Sequence, residues 1–107
     1  MKLLFVCHYN QMRSRTAECV YNSGYLHHAL SAGTASRATR KLTAELIVWA
    51  EKIFIMEKEQ VIFFKKHFPV ETKNKVVITP DILDCYYFME PELVKLIQAK
   101  VLPYLDR

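Results

Sequence analysis

Near its amino terminus the chain reads Leu3-Leu4-Phe5-Val6-Cys7-His8-Tyr9-Asn10-Gln11-Met12-Arg13-Ser14. The first four of these residues form a continuous apolar run, which is typical of a strand buried on both faces of a parallel sheet. After the polar loop, apolar residues recur at helical spacing, Ser14 is a good N-cap, and Ser23-Gly24 provides the stop signal. The stretch therefore predicts a strand, a loop and a helix, in that order.

The same alternation continues along the rest of the chain. Apolar runs predict three more strands, in the later part of residues 25–33, at 53–56 and at 76–78. Capping residues and helical periodicity predict helices that begin after Thr43, that cover 58–67 before Pro69, and that run from Pro91 to Pro103. Because strands that alternate with helices indicate a parallel sheet, we predict an α/β fold. It is expected to be a single three-layer domain over residues 1–107, with about four parallel strands and helices on both faces.

Composition limits the classes of protein that the chain can belong to. Of its 107 residues, 51% are hydrophobic and 24% are charged, which is typical of one globular domain and excludes a disordered or fibrous chain. The net charge is +4, but the lysines and arginines do not cluster in one block. This distribution suits small anionic ligands at least as well as nucleic acid, and we predict no nucleic-acid partner.

Cysteine usage and the first residues bear on the compartment. The chain has three cysteines, Cys7, Cys19 and Cys85. This odd number includes neither a paired zinc spacing nor a CxxC motif. We therefore predict a reducing, cytoplasmic environment, with no disulfide framework and no metal site. The apolar run at the start is too short for a signal peptide or a membrane span, so no membrane partner is predicted.

The loop from Cys7 to Ser14 combines three features of a phosphate site. Its backbone N–H groups can curl inward, and the helix that follows adds its positive end. Arg13 provides a planar fork that can hold two phosphate oxygens at once. Under this positive potential Cys7 is expected to be a thiolate and a nucleophile for phosphorus, the alternative being a small buried hydrophobe at a strand end. The predicted fold therefore includes a phosphate-binding loop after the first strand.

The loop and several later segments match a family signature. The matching residues are Phe5-Val6-Cys7, Asn10, Arg13-Ser14, Ala17-Glu18 and Val20, then Ser31-Ala32-Gly33-Thr34 and Ile53-Phe54-Ile55-Met56. Over most of its length the chain resembles the low-molecular-weight protein tyrosine phosphatases, and most of all a short bacterial branch of that family. The resemblance implies a catalytic Cys7 and Arg13 and a catalytic acid on the loop after the fourth strand.

Three carboxylates of that later loop can be considered as the acid: Asp81, Asp84 and Glu90. Residues 82–87 resemble the family's acid segment, an aspartate followed by proline and paired aromatics, with Cys85 in the place of the proline. We therefore assign the acid to Asp84. Asp81 stays open as an alternative acid or as a turn residue, and Glu90 is explained most simply as a helix-start residue.

Substrate contacts are predicted on the same two loops. They are His8, Tyr9, Asn10, Gln11, Met12 and Ser14 on the first loop, and Tyr86 and Tyr87 on the second. Ser14 has two compatible roles, as a hydroxyl donor to the thiolate and as a helix cap. Asn10 is expected to brace the loop in a left-handed conformation. The two tyrosines either stack against an aromatic leaving group or cover the core, and His8 is expected to point away from the thiol.

Together these residues predict a phosphate-monoester hydrolase, specifically a protein tyrosine phosphatase that forms a cysteinyl-phosphate intermediate. The expected partners are a phosphotyrosine-containing protein or a small aryl phosphate, with inorganic phosphate or another oxyanion as inhibitor and no cofactor. Two alternatives stay open. One is a thiol-dependent arsenate reductase, for which Cys19 and Cys85 lack the usual close spacing. The other is a phosphoanion-binding regulatory module without turnover.

Overall fold

The computed structural model describes residues 1–105, which form a parallel sheet between two layers of helices. The strands are β1 (Lys2–Cys7), β2 (His28–Gly33), β3 (Lys52–Ile55) and β4 (Val76–Ile78). The helices are α1 (Arg13–Asn22), α2 (Ala44–Trp49), α3 (Lys58–His67), α4 (Pro69–Thr72) and α5 (Pro91–Val101), followed by a 3₁₀ turn at Leu102–Tyr104. The predicted α/β fold is confirmed; Asp106 and Arg107 of the predicted domain lie outside the described residues. No helix within residues 1–105 has the length and apolarity needed to cross a membrane.

The strand β1 lies inside the sheet, whose order is β2-β1-β3-β4 with every pair of neighbours parallel. Residues 3–6 of β1 are fully buried, as expected for a strand that is covered on both faces. Leu3 and Phe5 pack with residues of α1 and α5, whereas Leu4 and Val6 pack with residues of α2 and α3. Successive side chains of a strand point to opposite faces, so one apolar run of β1 supports both cores and the predicted three layers are confirmed.

The predicted N-cap of α1 is wrong. The helix begins at Arg13, its N-cap is Met12, and Ser14 lies buried inside the first turn. The Thr16 N–H donates to the Met12 carbonyl at 2.9 Å, which starts the helical hydrogen-bond ladder before the predicted cap. The Ser14 hydroxyl is therefore available to the loop.

Pro69 ends one helix and begins another. The helix α3 covers the predicted residues 58–67, and α4 then begins at Pro69 itself, an element that the sequence pattern did not predict. A proline suits the first helical position because its missing N–H has no partner there and its fixed φ is already helical. At α2 the predicted cap is confirmed, since the Thr43 side chain accepts a hydrogen bond from the Leu46 N–H at 3.3 Å.

The loops after β1 and β4 meet at the carboxyl edge of the sheet, where parallel sheets bind their ligands. Arg13 Nη1 donates to the Ile82 carbonyl at 2.8 Å, which ties the first loop to the second. The Ile82 N–H donates to the carbonyl of Met56, the residue after β3, at 3.0 Å. Two segments that are far apart in the sequence are thereby fixed against each other.

Candidate active site

Cys7 lies at the carboxyl end of β1 with 3% of its surface exposed. Its Sγ is 2.9 Å from Ser14 Oγ and accepts a hydrogen bond from the Asn10 N–H at 3.2 Å. Asn10 has a φ of 55°, the left-handed conformation expected for it, and this conformation turns its N–H toward the sulfur. Two polar groups of the loop are thus directed at the atom that carries negative charge in a nucleophilic thiolate.

The Asn10 side chain favours Ser14 as the donor in its hydrogen bond with Cys7. Asn10 Nδ2 donates to Ser14 Oγ and to Ser31 Oγ, each at 2.8 Å, and Asn10 Oδ1 accepts from the Arg40 N–H at 3.0 Å. Because the Ser14 oxygen already accepts from Asn10, its own proton is free to point at Cys7 Sγ. Ser14 is therefore placed as a donor to the sulfur and does not cap α1.

Two residues without a predicted role extend this network outward. Ser31, on β2 and 2% exposed, donates to Glu18 Oε1 at 2.5 Å. Glu18 Oε1 lies 3.5 Å from Arg40 Nη1, so its charge is paired. A continuous chain of hydrogen bonds thus runs from Glu18 through Ser31, Asn10 and Ser14 to the sulfur. Both residues belong to segments that carry the family resemblance, which was the only signal for them in the sequence.

Arg13 is held from behind by a carboxylate that sequence reasoning missed. Its Nη1 donates to Glu57 Oε1 at 2.7 Å and to the Ile82 carbonyl at 2.8 Å, and the residue is 2% exposed. Its Nε lies 3.7 Å from Asp84 Oδ1. With Nη1 occupied, the N–H groups of Nε and Nη2 are the donors left for an oxyanion. Glu57 lies just after β3, which neighbours β1, and so reaches the same edge of the sheet as Cys7. Knowledge of the strand order would therefore have identified Glu57 as a candidate.

A cavity of about 150 Å³ lies over the loop. Its lining consists of Cys7, Tyr9, Gln11, Met12, Arg13 and Asp84. Of the three candidate acids, Asp84 is the one in this lining, and its side chain is 55% exposed. Asp81 is an exposed loop residue with a φ of 61°, and Glu90 accepts a hydrogen bond from the Tyr87 N–H at 3.0 Å. The geometry therefore brings Asp84, rather than the other two carboxylates, to the cavity that contains Cys7.

The remaining predicted contacts are placed in three ways. The side chains of Asn10 and Ser14 are buried within the loop and are not part of the cavity lining. Tyr86 and Tyr87 are not part of the cavity lining: Tyr86 is half-buried against the core, and Tyr87 is 76% exposed. Burial, followed by the neighbouring Cys85 and the carboxylates of Glu92 and Glu90, raises the pKa of Tyr86. His8 is exposed, with its Nδ1 3.3 Å from Thr34 Oγ1 rather than near the sulfur.

The other two cysteines differ from Cys7 in exposure. All three are free thiols, and Cys7 is buried whereas Cys19 and Cys85 are exposed. Cys85 is absent from the lining of the cavity that contains Cys7. Within residues 1–105, no group of three or more histidine, cysteine, aspartate or glutamate side chains is arranged to hold a metal ion.

Similarity to known proteins lies at the level of structure. No family model matches the chain, and no curated protein matches it. Three solved structures match it over nearly their whole length. They are the YwlE arginine phosphatase from Geobacillus stearothermophilus (21% identity, TM-score 0.70), Wzb from Vibrio vulnificus in complex with benzylphosphonate (22%, 0.75), and SP-PTP, a low molecular weight protein tyrosine phosphatase from Streptococcus pyogenes (18%, 0.79). The alignments cover 99%, 97% and 99% of this chain and 98%, 96% and 91% of the three solved chains.

The chain has the low-molecular-weight protein tyrosine phosphatase fold. This finding confirms the sequence resemblance for the architecture as a whole. In this phosphatase fold, the loop after β1 and the loop after β4 are adjacent at one edge of the sheet. Arg13, at the end of the first loop, contacts Ile82 and Asp84 of the second loop and Glu57 after β3, so three separate segments of the chain meet around its guanidinium.

Proposed function

We propose that this chain is a cysteine-dependent phosphatase that hydrolyses aryl phosphate monoesters, with phosphotyrosine in proteins as the preferred substrate. The observation that supports it best is the arrangement of Arg13, whose Nη1 is occupied by Glu57 and Ile82 while its other donors stay available beside Cys7. A nucleophile beside preorganised oxyanion donors is what phosphoryl transfer requires.

The first step transfers the phosphoryl group to the enzyme. Cys7 Sγ attacks phosphorus, an S–P bond forms and the P–O bond to the aryl group breaks. Arg13 and the loop N–H groups stabilise the equatorial oxygens, and protonated Asp84 gives its proton to the leaving phenolate oxygen. The exposed carboxyl of Asp84 in the cavity lining supports this role.

The second step regenerates the thiolate. Asp84, now a carboxylate, takes a proton from a water molecule that attacks phosphorus, and the S–P bond breaks to release inorganic phosphate. The Ser14 hydroxyl, 2.9 Å from Cys7 Sγ, donates to the sulfur as negative charge returns to it. Inorganic phosphate and related oxyanions are then expected to inhibit by occupying the same donors. The free thiols support a reducing, cytoplasmic setting for this chemistry.

A second substrate class follows from one of the similar structures. The Geobacillus protein is described as an arginine phosphatase, so phosphoarginine is the second candidate. Tyr9, which is 48% exposed and lines the cavity, favours phosphotyrosine because it offers a ring beside the aromatic leaving group. Peptides that carry phosphotyrosine or phosphoarginine at the same position distinguish the two classes.

The deciding experiment measures hydrolysis of para-nitrophenyl phosphate across pH in the presence of EDTA. Cys7→Ser is expected to abolish turnover while phosphate binding is retained, and Cys19→Ser, which changes an exposed thiol, is the matched control. A fully active Cys7→Ser variant would contradict the covalent mechanism. An inactive native chain that binds phosphate would instead support a phosphoanion-binding module, and arsenate with a thiol reductant would then test the reductase alternative.

A further inference from the structure

A second hollow adjoins the phosphate cavity and shares one wall with it. It has a volume of about 440 Å³ and is lined by Tyr9, Gln11 and Arg37. Tyr9 and Gln11 also line the phosphate cavity. A substrate whose phosphoryl group lies over Cys7 therefore brings the residues next to its phosphorylated side chain to this hollow.

The hollow contains an arginine that is not engaged elsewhere. Arg13 pairs with Glu57, Arg15 lies 4.9 Å from the ring centre of Phe88, and Arg40 pairs with Glu18. By contrast, Arg37 is exposed and makes no ion pair or ring contact with any residue of the described range 1–105. Its guanidinium is therefore available to an anion on a bound molecule.

The segment that carries Arg37 is fixed to the catalytic loop by its backbone. The Thr34 N–H donates to the Cys7 carbonyl at 3.0 Å, and the Ala35 N–H donates to the His8 carbonyl at 2.9 Å. After Arg37, the Thr39 N–H donates to the Tyr9 carbonyl at 3.1 Å. Because bonded residues flank it on both sides, the backbone of Arg37 keeps a set position relative to Cys7.

We propose that Arg37 forms a substrate subsite for an acidic residue that flanks the phosphorylated residue of a protein or peptide. The proposal rests on the proposed phosphatase function and adds a substrate class to it. Asp84 lines the phosphate cavity but not the hollow, so an acidic neighbour is attracted by Arg37 in the hollow and repelled by Asp84 in the phosphate cavity. The net charge of +4 further favours acidic substrates over basic ones.

The test compares phosphotyrosine peptides that are identical except for Glu or Gln at one flanking position at a time. At one flanking position we expect kcat/KM to be about three- to fivefold higher for the Glu peptide than for the Gln peptide. This is the size of effect expected from a partly exposed ion pair. Arg37→Ala is expected to remove this preference, and Arg37→Glu to reverse it. Lys66→Glu, the same charge change on the exposed face of α3, is the control and is expected to keep the preference.

Two further measurements separate this subsite from the chemistry. Hydrolysis of para-nitrophenyl phosphate, which has no flanking residue, is expected to change less than about twofold in the Arg37 variants. Peptide affinity of Cys7→Ser, with and without Arg37→Ala, reports the subsite even if turnover is absent. A Glu preference that survives Arg37→Ala, or no preference in either assay, overturns the proposal. Loss of native turnover with the affinity preference intact overturns only the phosphatase function.

Discussion

Among single residues, Glu57 holds the guanidinium of Arg13 without lining the cavity. Its Oε1 lies 2.7 Å from Arg13 Nη1, and a carboxylate at this distance both aligns the guanidinium and offsets its burial. Glu57 also caps α3 through its side chain, together with Gln60. A substitution must therefore keep an acceptor at this position if it is to test alignment rather than folding.

Glu57→Gln keeps the acceptor and removes the charge. We expect kcat/KM for aryl phosphates to fall roughly 10- to 100-fold, because a misaligned Arg13 holds the transition-state oxygens poorly. Inhibition by inorganic phosphate is expected to weaken in parallel, and steady-state kinetics with a thermal melt checks both. Glu59→Gln, an exposed change in the same first turn of α3, is the control. Unaltered kinetics in Glu57→Gln would show that Arg13 aligns without it.

Asp84→Asn tests whether Asp84 is the general acid, because the effect of the substitution should depend on how well the leaving group departs without protonation. A substrate whose phenolate leaves poorly depends on protonation, so phenyl phosphate is expected to lose about 10²- to 10⁴-fold in kcat and para-nitrophenyl phosphate much less. Asp81→Asn is the matched control, since Asp81 is an exposed loop residue outside the cavity lining. The assignment is wrong if Asp81→Asn, rather than Asp84→Asn, produces this dependence on the leaving group.

The sequence predicted which residues meet at the site better than it predicted what holds them. Cys7, Arg13 and Asp84 lie together in the cavity lining, because each lies at the end of a strand or in a recognisable loop motif. Glu57 and Glu18 were missed, since their partners are set by strand order and helix packing, which local patterns do not encode. Ser14 lies within hydrogen-bond distance of the sulfur but was wrongly assigned as a cap, because its type suits both roles.

At the scale of elements, the loop after β1 depends on a close approach from the end of β2. A Cβ added at Gly33 would lie 2.6 Å from the His8 carbonyl oxygen and 2.6 Å from the Ala38 Cβ. The His8 carbonyl belongs to the backbone of this loop, so the loop itself would have to move. This contact explains a glycine at the end of a strand without any need for a positive φ.

Gly33→Ala is therefore expected to destabilise the fold by about 1–3 kcal/mol, as overpacking does, and to reduce phosphatase activity by displacing the loop. A thermal melt and hydrolysis of para-nitrophenyl phosphate measure the two effects. Gly24→Ala is the matched control, because nothing lies within 4 Å of a Cβ added there. Equal melting temperatures for the two variants would contradict the proposed role of the close approach.

Local patterns located the elements well and missed those that depend on context. The bounds of α3 match the predicted range, since Pro69 stops it and a strong apolar period defines it. The single turn α4 was missed because four residues provide no periodicity to detect. Its starting proline was interpreted only as an end signal, although the same residue type suits a helix start.

For the whole molecule, the fold followed from the alternation of strands and helices, but stability also depends on groups that the alternation does not identify. His27, just before β2, is half-buried, with its ring edge toward Tyr21 at a centroid distance of 6.0 Å. Its Nδ1 has no hydrogen-bond partner within residues 1–105. The amino-terminal ammonium lies close by, since it donates to the Leu26 carbonyl at 2.9 Å.

Burial, followed by the positive amino terminus, lowers the pKa of His27 below its ordinary value of 6.5. As the pH falls below 6.5, the unfolded chain therefore takes up a proton at His27 before the folded chain does. The stabilisation due to neutral His27 is present above this pH and is lost as the pH falls toward the lowered pKa. When the pH is lowered from about 7.5 to about 5.5, the melting temperature of His27→Gln is expected to fall by less than that of the native chain. His67→Gln, an exposed change on α3, is the control. If His27→Gln and the native chain lose equal melting temperature over this range, acid sensitivity arises elsewhere and His27 contributes nothing to it.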